Sequence, residues 1–229
     1  MSADEIGIVL LSLKVAALAV LLVAPFAVFF AWVLARRNFP GKSLLDAAIH
    51  LPLVLPPVAV GYGLLLVFGR QGPVGRVLDE LLGVQLAFAW EGAALAAAVM
   101  ALPLAVRPIR LALETVDTRL ELAARTLGAT RRDAFLSVTL PLCLPGIVAA
   151  LVLGFARALG EFGATITFVS NIPGETRTLP LAMHTLLEVP DGEAGALRLA
   201  IFSIVLSLAA LMAAEYLNRR LRRRLGGVP

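Results

Sequence analysis

The chain has 229 residues, of which 59% are hydrophobic and 16% charged. Its mean hydropathy of +0.90 excludes an ordinary soluble domain and indicates a polytopic membrane protein. The net charge of +4 would suit a nucleic-acid ligand, but the basic residues stand at the ends of apolar runs, where a bilayer accounts for them and nucleic acid does not.

Five apolar runs are long enough to cross a hydrocarbon layer of about 30 Å, which takes about 20 helical residues. They cover approximately 6–35, 47–68, 86–106, 138–159 and 196–216, within one all-α membrane unit whose core spans about 6–218. The first run is preceded by Asp4 and Glu5 rather than by bases, and it is too long for the apolar part of a signal peptide. It therefore reads as a retained span, with Lys14 snorkelling from it toward the surface. Gly41, Lys42 and Ser43 look like the end of a phosphate loop, but Arg36 stands where such a loop needs glycine. The segment is a tight turn.

The second run carries Pro52, Pro56 and Pro57, followed by Gly61 and Gly63. Proline inside a helix removes a donor and clashes with the preceding turn, which predicts a kink or a local opening. Such breaks are tolerated where they face protein or a water-filled cavity. The kink serves either packing or the lining of a pathway.

After the third run comes a basic segment, 107–137. Two short helices are predicted in it, each opened by a capping box, Thr118 with Glu121 and Thr130 with Asp133. On the first, Leu120, Ala123, Ala124 and Leu127 share one face, and Glu121 pairs with Arg125 on the other. Gly128 is its left-handed stop. Ala129 and Thr130 connect it to the second helix. Ala and Gly allow backbones to approach closely, so this face suits docking against another protein.

The fourth run contains Cys143, the only cysteine, which reads as a small packing residue. Toward its far end lie Arg157 and, four residues on, Glu161. An intramembrane charge is expensive, so it faces a partner or a water-filled route. The pair either neutralises itself or supplies a positive field for an oxyanion, with Thr165 and Thr167 as hydroxyl donors. The neutral pair is favoured, because opposite charges this close leave little net field. The stretch 163–170 is too short to cross as a helix. It extends the fourth span, re-enters, or lies near the outer surface. Residues 181–187 are expected to form a short surface helix.

Arg36, Arg37 and Lys42 follow the first run, six arginines from Arg107 to Arg132 follow the third, and five from Arg219 to Arg224 follow the last. The opposite loops carry Arg70, Arg76, Arg177 and Arg198 against Asp79, Glu80, Glu175, Glu188, Asp191 and Glu193. By the positive-inside rule the N-terminus is outside, the C-terminus inside, and the 107–137 segment cytoplasmic. His50 and His184 are far apart with no ligand-spaced neighbours, so no metal site is expected. No nucleophile, base and acid set appears, so the chain reads as non-enzymatic and without a cofactor.

The spacing of Ala123 and Ala124, Gly128, then Val138, Leu140 and Pro141 resembles the Glu-Ala-Ala loop of ABC-importer permeases. The acidic position of that signature holds Leu122 here, and the carboxylate sits one residue earlier, at Glu121. The stretches LPLVLPPVAVGYGLLLVFGR, PLAVRPIRLALETVD and ARALGEFGATITFVSNIPGETRTLPLAM are similar to those of the molybdate permease family within that superfamily. The resemblance implies a type I importer permease fold in the bacterial cytoplasmic (inner) membrane, surrounded by lipid. It implies a homodimer with two cytoplasmic ABC ATPase subunits and a periplasmic or extracellular molybdate-binding protein. The loop residues Glu121, Ala123, Ala124, Leu127, Gly128, Ala129, Thr130, Leu140 and Pro141 would then couple to the ATPase, with Pro56, Pro57, Arg157, Glu161, Thr165 and Thr167 as pathway or gate residues. Tungstate and sulfate or thiosulfate are alternative cargoes. An ATP-independent secondary carrier is the alternative class, but such a carrier would show coupling carboxylates deep in its spans.

Overall fold

The computed structural model describes residues 3–224, which contain helices and connecting turns and no strand. The long helix α1 (Ala3–Arg36) runs against α5 (Trp90–Thr115), and α8 (Leu140–Leu159) packs on both. α5 is the central helix, and its sequence explains why. Ala93, Ala97, Ala101 and Ala105 recur every fourth residue and are fully buried, forming a stripe that lets neighbours approach closely, as small residues do in membrane bundles. Ala16, Ala19, Ala27 and Ala31 give α1 a matching buried stripe. The crossing of α8 over α5 is equally close, since a Cβ on Gly146 would lie 2.4 Å from the Ala112 methyl.

Among the described residues, four helices are long and apolar enough to cross a membrane: Asp4–Arg36, Trp90–Thr115, Arg131–Leu159 and Glu193–Arg220. The expected second span is not one helix. It is α2 (Lys42–Val54) and α3 (Pro57–Phe68), bent by 113° between them, and it makes a fifth crossing only if this pair counts as one. Pro57 takes the first helical turn of α3, where its missing N–H is not needed, and Pro56 sits before it with φ −55 and ψ 131. The third span begins at Trp90 and continues past Val106 to Thr115 despite Pro103 and Pro108, so the first part of the basic segment is helix. Between α3 and α5 a further helix, α4 (Pro73–Leu82), is opened by Pro73 and stopped by Gly83 at φ +63.

The stretch after the fourth span does not extend it. α9 (Gly163–Val169) is a separate short helix packed on α3 and α5. Its contact with α3 depends on Gly61, where a Cβ would meet the Ala164 carbonyl oxygen at 2.5 Å. α10 (Leu179–Leu187) forms where a surface helix is expected, with His184 and Leu187 exposed and its other face buried. Leu179, Leu181 and Ala182 are buried, and the helix packs on the last helix, α11 (Glu193–Arg224). The side chains of Arg222, Arg223 and Arg224 lie outside the described residues. Lys14 does not snorkel freely: its Nζ sits 3.5 Å from the centroid of the Trp90 ring, a cation–π contact.

Candidate coupling elbow and translocation surface

Between α5 and α8 the chain makes an elbow of two short helices, α6 (Thr118–Thr126) and α7 (Arg131–Ala134). The first expected capping box is not formed. Asp117, one residue earlier, caps α6 by accepting a bond from the Arg119 backbone N–H at 2.9 Å. Glu121 is thereby free for another task. Its Oε1 accepts from Arg36 Nη2 at the end of α1 (3.3 Å) and also from the hydroxyl of Thr139. The expected Glu121–Arg125 surface pair is replaced by this longer-range tie, because a fully buried Thr139 and a mostly buried Arg36 have less access to water than the exposed Arg125. Sequence reasoning missed Arg36 and Thr139 as partners. Their positions lie far from Glu121 along the chain, and no periodicity links them.

α6 ends as its sequence predicts. Gly128 has φ +96, its N–H bonds the Arg125 carbonyl, and the Ala129 N–H bonds the Ala124 carbonyl, a Schellman closure. The second capping box is present. Asp133 N–H bonds Thr130 Oγ1, and Thr130 N–H bonds Asp133 Oδ2, both at 3.2 Å. The proposed docking face is unpartnered within the chain: Leu127 is 89% exposed, and Leu120 and Ala123 are exposed. A Cβ at Gly128 would meet nothing within 4 Å. Leu122, at the acidic position of the resembled signature, is also exposed.

A π-helical turn, Phe135–Thr139, joins α7 to α8. Pro141 explains it. Having no N–H, proline cannot continue the regular ladder, and its ring crowds the carbonyl one turn back, which the wider turn relieves. Leu140 N–H accordingly bonds the Phe135 carbonyl five residues back. Residues Arg131–Leu159 thus form one apolar helical body, with the elbow at one end and Arg157 near the other.

At that other end Arg157 Nη1 lies 2.6 Å from Glu161 Oε2, and Glu161 is only 2% exposed at its side chain. Glu161 has a second partner that the sequence did not disclose. Its Oε1 accepts from the Ala164 backbone N–H at 2.8 Å, capping α9 and placing a negative charge at a helix N-terminus. Thr165 is buried, and the Thr167 hydroxyl donates to the Gly163 carbonyl at 2.9 Å. The structure therefore brings Arg157 and Glu161 together but turns these hydroxyls inward or back onto α9. Pro56 and Pro57, by contrast, lie in an exposed apolar stretch, 53–59, at the bend between α2 and α3.

The basic end of the bundle is held together by charge. Besides Arg36 and Glu121, Arg110 on α5 contacts Asp46 on α2 at 3.1 Å and Glu114 at 2.8 Å. The other end is fixed by Arg198 of α11 on Glu5 of α1 at 3.1 Å and by the Leu179 N–H on Ser12 Oγ at 2.8 Å.

Long apolar helices around a small-residue core, a broken proline span and a capped elbow between two spans define a membrane permease subunit. The chain belongs to the binding-protein-dependent transport system inner membrane component family, which it matches over residues 10–223, and it is a multi-pass protein of that membrane. It is 62% identical over 218 residues to the molybdenum transport system permease protein ModB of Escherichia coli K12, covering 95% of each chain. To the protein of the same description from Haemophilus influenzae it is 54% identical over 222 residues, covering 97% of each. Its fold matches a chain in the crystal structure of a bacterial alginate ABC transporter with its pentasaccharide-bound periplasmic protein. That match has a TM-score of 0.74 at 21% identity, covering 96% of this chain and 80% of the other.

Proposed function

We propose that the chain is the translocation subunit of an ATP-driven importer that carries molybdate across the cytoplasmic membrane. Identity of 62% across 95% of a molybdenum permease carries the choice of cargo over sulfate and other tetrahedral oxyanions. Two copies form the pathway, meeting through the exposed apolar bend around Pro56 and Pro57. Each copy docks one cytoplasmic ATPase through Leu127, Gly128 and the neighbouring face of α6. A binding protein delivers molybdate to the outer mouth.

In this mechanism the elbow transmits force because it is tied on two sides. Glu121 links it to α1 through Arg36 and to the start of α8 through Thr139. ATP binding favours one arrangement of the ATPase pair, and the permease follows in proportion to the difference in affinity between its two states. The chain contributes shape and relay, and hydrolysis belongs to the partner. The test is uptake in a strain lacking this gene, complemented with the chain, using labelled molybdate against excess tungstate or sulfate. Restored uptake that sulfate fails to inhibit is the expected result. Uptake of sulfate with no molybdate uptake would overturn the cargo assignment.

A further inference from the structure

A cleft of about 1050 Å³ opens between the last turns of α1 and the elbow. Its two walls differ in chemistry. On the membrane side it is lined by Phe29, Trp32 and Leu136, with Phe29 and Leu136 each more than half exposed. The opposite rim carries Arg37, Arg125, Arg131 and Arg132. The one carboxylate in the cleft, Glu121, is already engaged by Arg36 and Thr139. Among the described residues, Arg125, Arg131 and Arg132 have no carboxylate within ion-pair distance, and Arg37 leans over the Trp32 ring at 5.0 Å. The cleft is therefore net positive at one end and apolar at the other.

We propose that this cleft binds an anionic phospholipid, with the phosphate held by Arg125, Arg131 and Arg132 and an acyl chain lying along Phe29 and Trp32. The geometry matches such an amphiphile. From Phe29 to the end of α1 at Arg36 the helix rises about 10 Å, so the apolar wall runs from the bilayer side to the basic rim, which it meets where Arg37 lies over Trp32. The apolar wall continues the exposed face of α1, which includes Phe26 and Leu22, so an acyl chain can enter from the bilayer. Basic pockets at the cytoplasmic ends of membrane helices favour anionic headgroups over zwitterionic ones. A protein occupant fits less well. The face proposed for the ATPase is the Leu127 tip, and the apolar surface proposed for a second copy is the bend at Pro56 and Pro57; neither lines this cleft.

The chain has two tryptophans, and Trp32 lines the cleft, so Trp90→Phe leaves a single reporter inside it. The full chain carrying Trp90→Phe is reconstituted in phosphatidylcholine vesicles containing a small fraction of brominated phosphatidylglycerol or, in parallel, of brominated phosphatidylcholine. The phosphatidylglycerol quencher should act at about tenfold lower mole fraction. Replacing Arg125, Arg131 and Arg132 with Gln should bring the two quenchers to within about twofold. Equal quenching by both lipids, or a preference that survives the Gln substitutions, would overturn the proposal. Protection of Trp32 from both quenchers on adding the ATPase would also overturn it, by assigning the cleft to protein. Native mass spectrometry of the unsubstituted chain gives a second readout that does not depend on Trp90→Phe folding well. Retained phosphatidylglycerol that is lost in the triple-Gln variant supports the site, and no retention refutes it.

Discussion

Replacing Glu121 tests the elbow at its most connected residue. One carboxylate oxygen serves both Arg36 and Thr139, and Gln and Ala dissect these two partners. Glu121→Gln keeps an oxygen that can accept from Thr139 but removes the charge facing Arg36. With side-chain exposures of 18% and 29% the ion pair is only partly desolvated, so its loss costs about 1 kcal/mol, near the upper end for surface pairs. Glu121→Ala also strands the hydroxyl of Thr139, which is fully buried, and an unsatisfied buried donor costs about 1–3 kcal/mol more. The total for Ala is therefore roughly 3 kcal/mol. Reversible unfolding in mixed micelles would measure both values. A double-mutant cycle with Arg36→Gln should return a coupling of about 1 kcal/mol with Glu121→Gln. Uptake should fall further than stability does, because an elbow released from α1 still docks but transmits less. Zero coupling, together with an Ala variant no less stable than Gln, would refute the tie.

Other positions give shorter tests. Glu161→Gln keeps an oxygen for the Ala164 N–H but leaves Arg157 uncompensated, so it should destabilise by roughly 2–3 kcal/mol, while Arg157→Gln with Glu161→Gln should cost less than Glu161→Gln alone. Unfolding and uptake measured on the three variants decide the matter, and a double variant worse than Glu161→Gln would contradict simple pairing. Gly128→Glu should insert and pair normally yet lose ATPase co-purification and uptake, because φ +96 disfavours any side chain and the docking face has no place for an acid. Wild-type uptake in that variant would sink the docking assignment. A reporter fused after Arg224 should be cytoplasmic and one inserted at Gly192 external; the same side for both would contradict the charge-derived orientation.

What could be read from the sequence was local or periodic. The Thr130–Asp133 box, the Gly128 stop and the proline break each depend on neighbours within a turn or two, and each is present. The capping box at Thr118 failed because Asp117 competes for the same role one residue earlier and Glu121 has a stronger call on its charge elsewhere. The Arg36–Glu121–Thr139 tie, the Lys14–Trp90 contact and the cap that Glu161 gives α9 all join distant or differently oriented elements. Hydrophobic periodicity carries no information about such partners. The short helix expected at 181–187 is present, but its packing on α11 and α1 could not be read from the sequence for the same reason.

These connections also constrain where motion can occur in the proposed transport cycle. Arg131–Leu159 is a single helical body, so a displacement at the elbow is carried along its length to the Arg157–Glu161 pair. Glu161 passes it on to α9 through the Ala164 bond. α9 in turn is locked to α3, because Gly61 leaves no space between the two helices. Beyond α3 lies the 113° break at Leu55 and Pro56, where no helical hydrogen bond bridges the chain from α2 to α3 and the surrounding residues are exposed. α3 and α9 are also packed on α5, where Ala164, Phe168 and Val169 share a buried cluster with Ala93, Ala94 and Ala96, while α2 is tied to α5 by Asp46 and Arg110. The apolar surface exposed at the break is also the one proposed to meet the second copy, so a displacement passed from the elbow through α8 and α9 would reach that surface through the core that α9 and α3 share with α5.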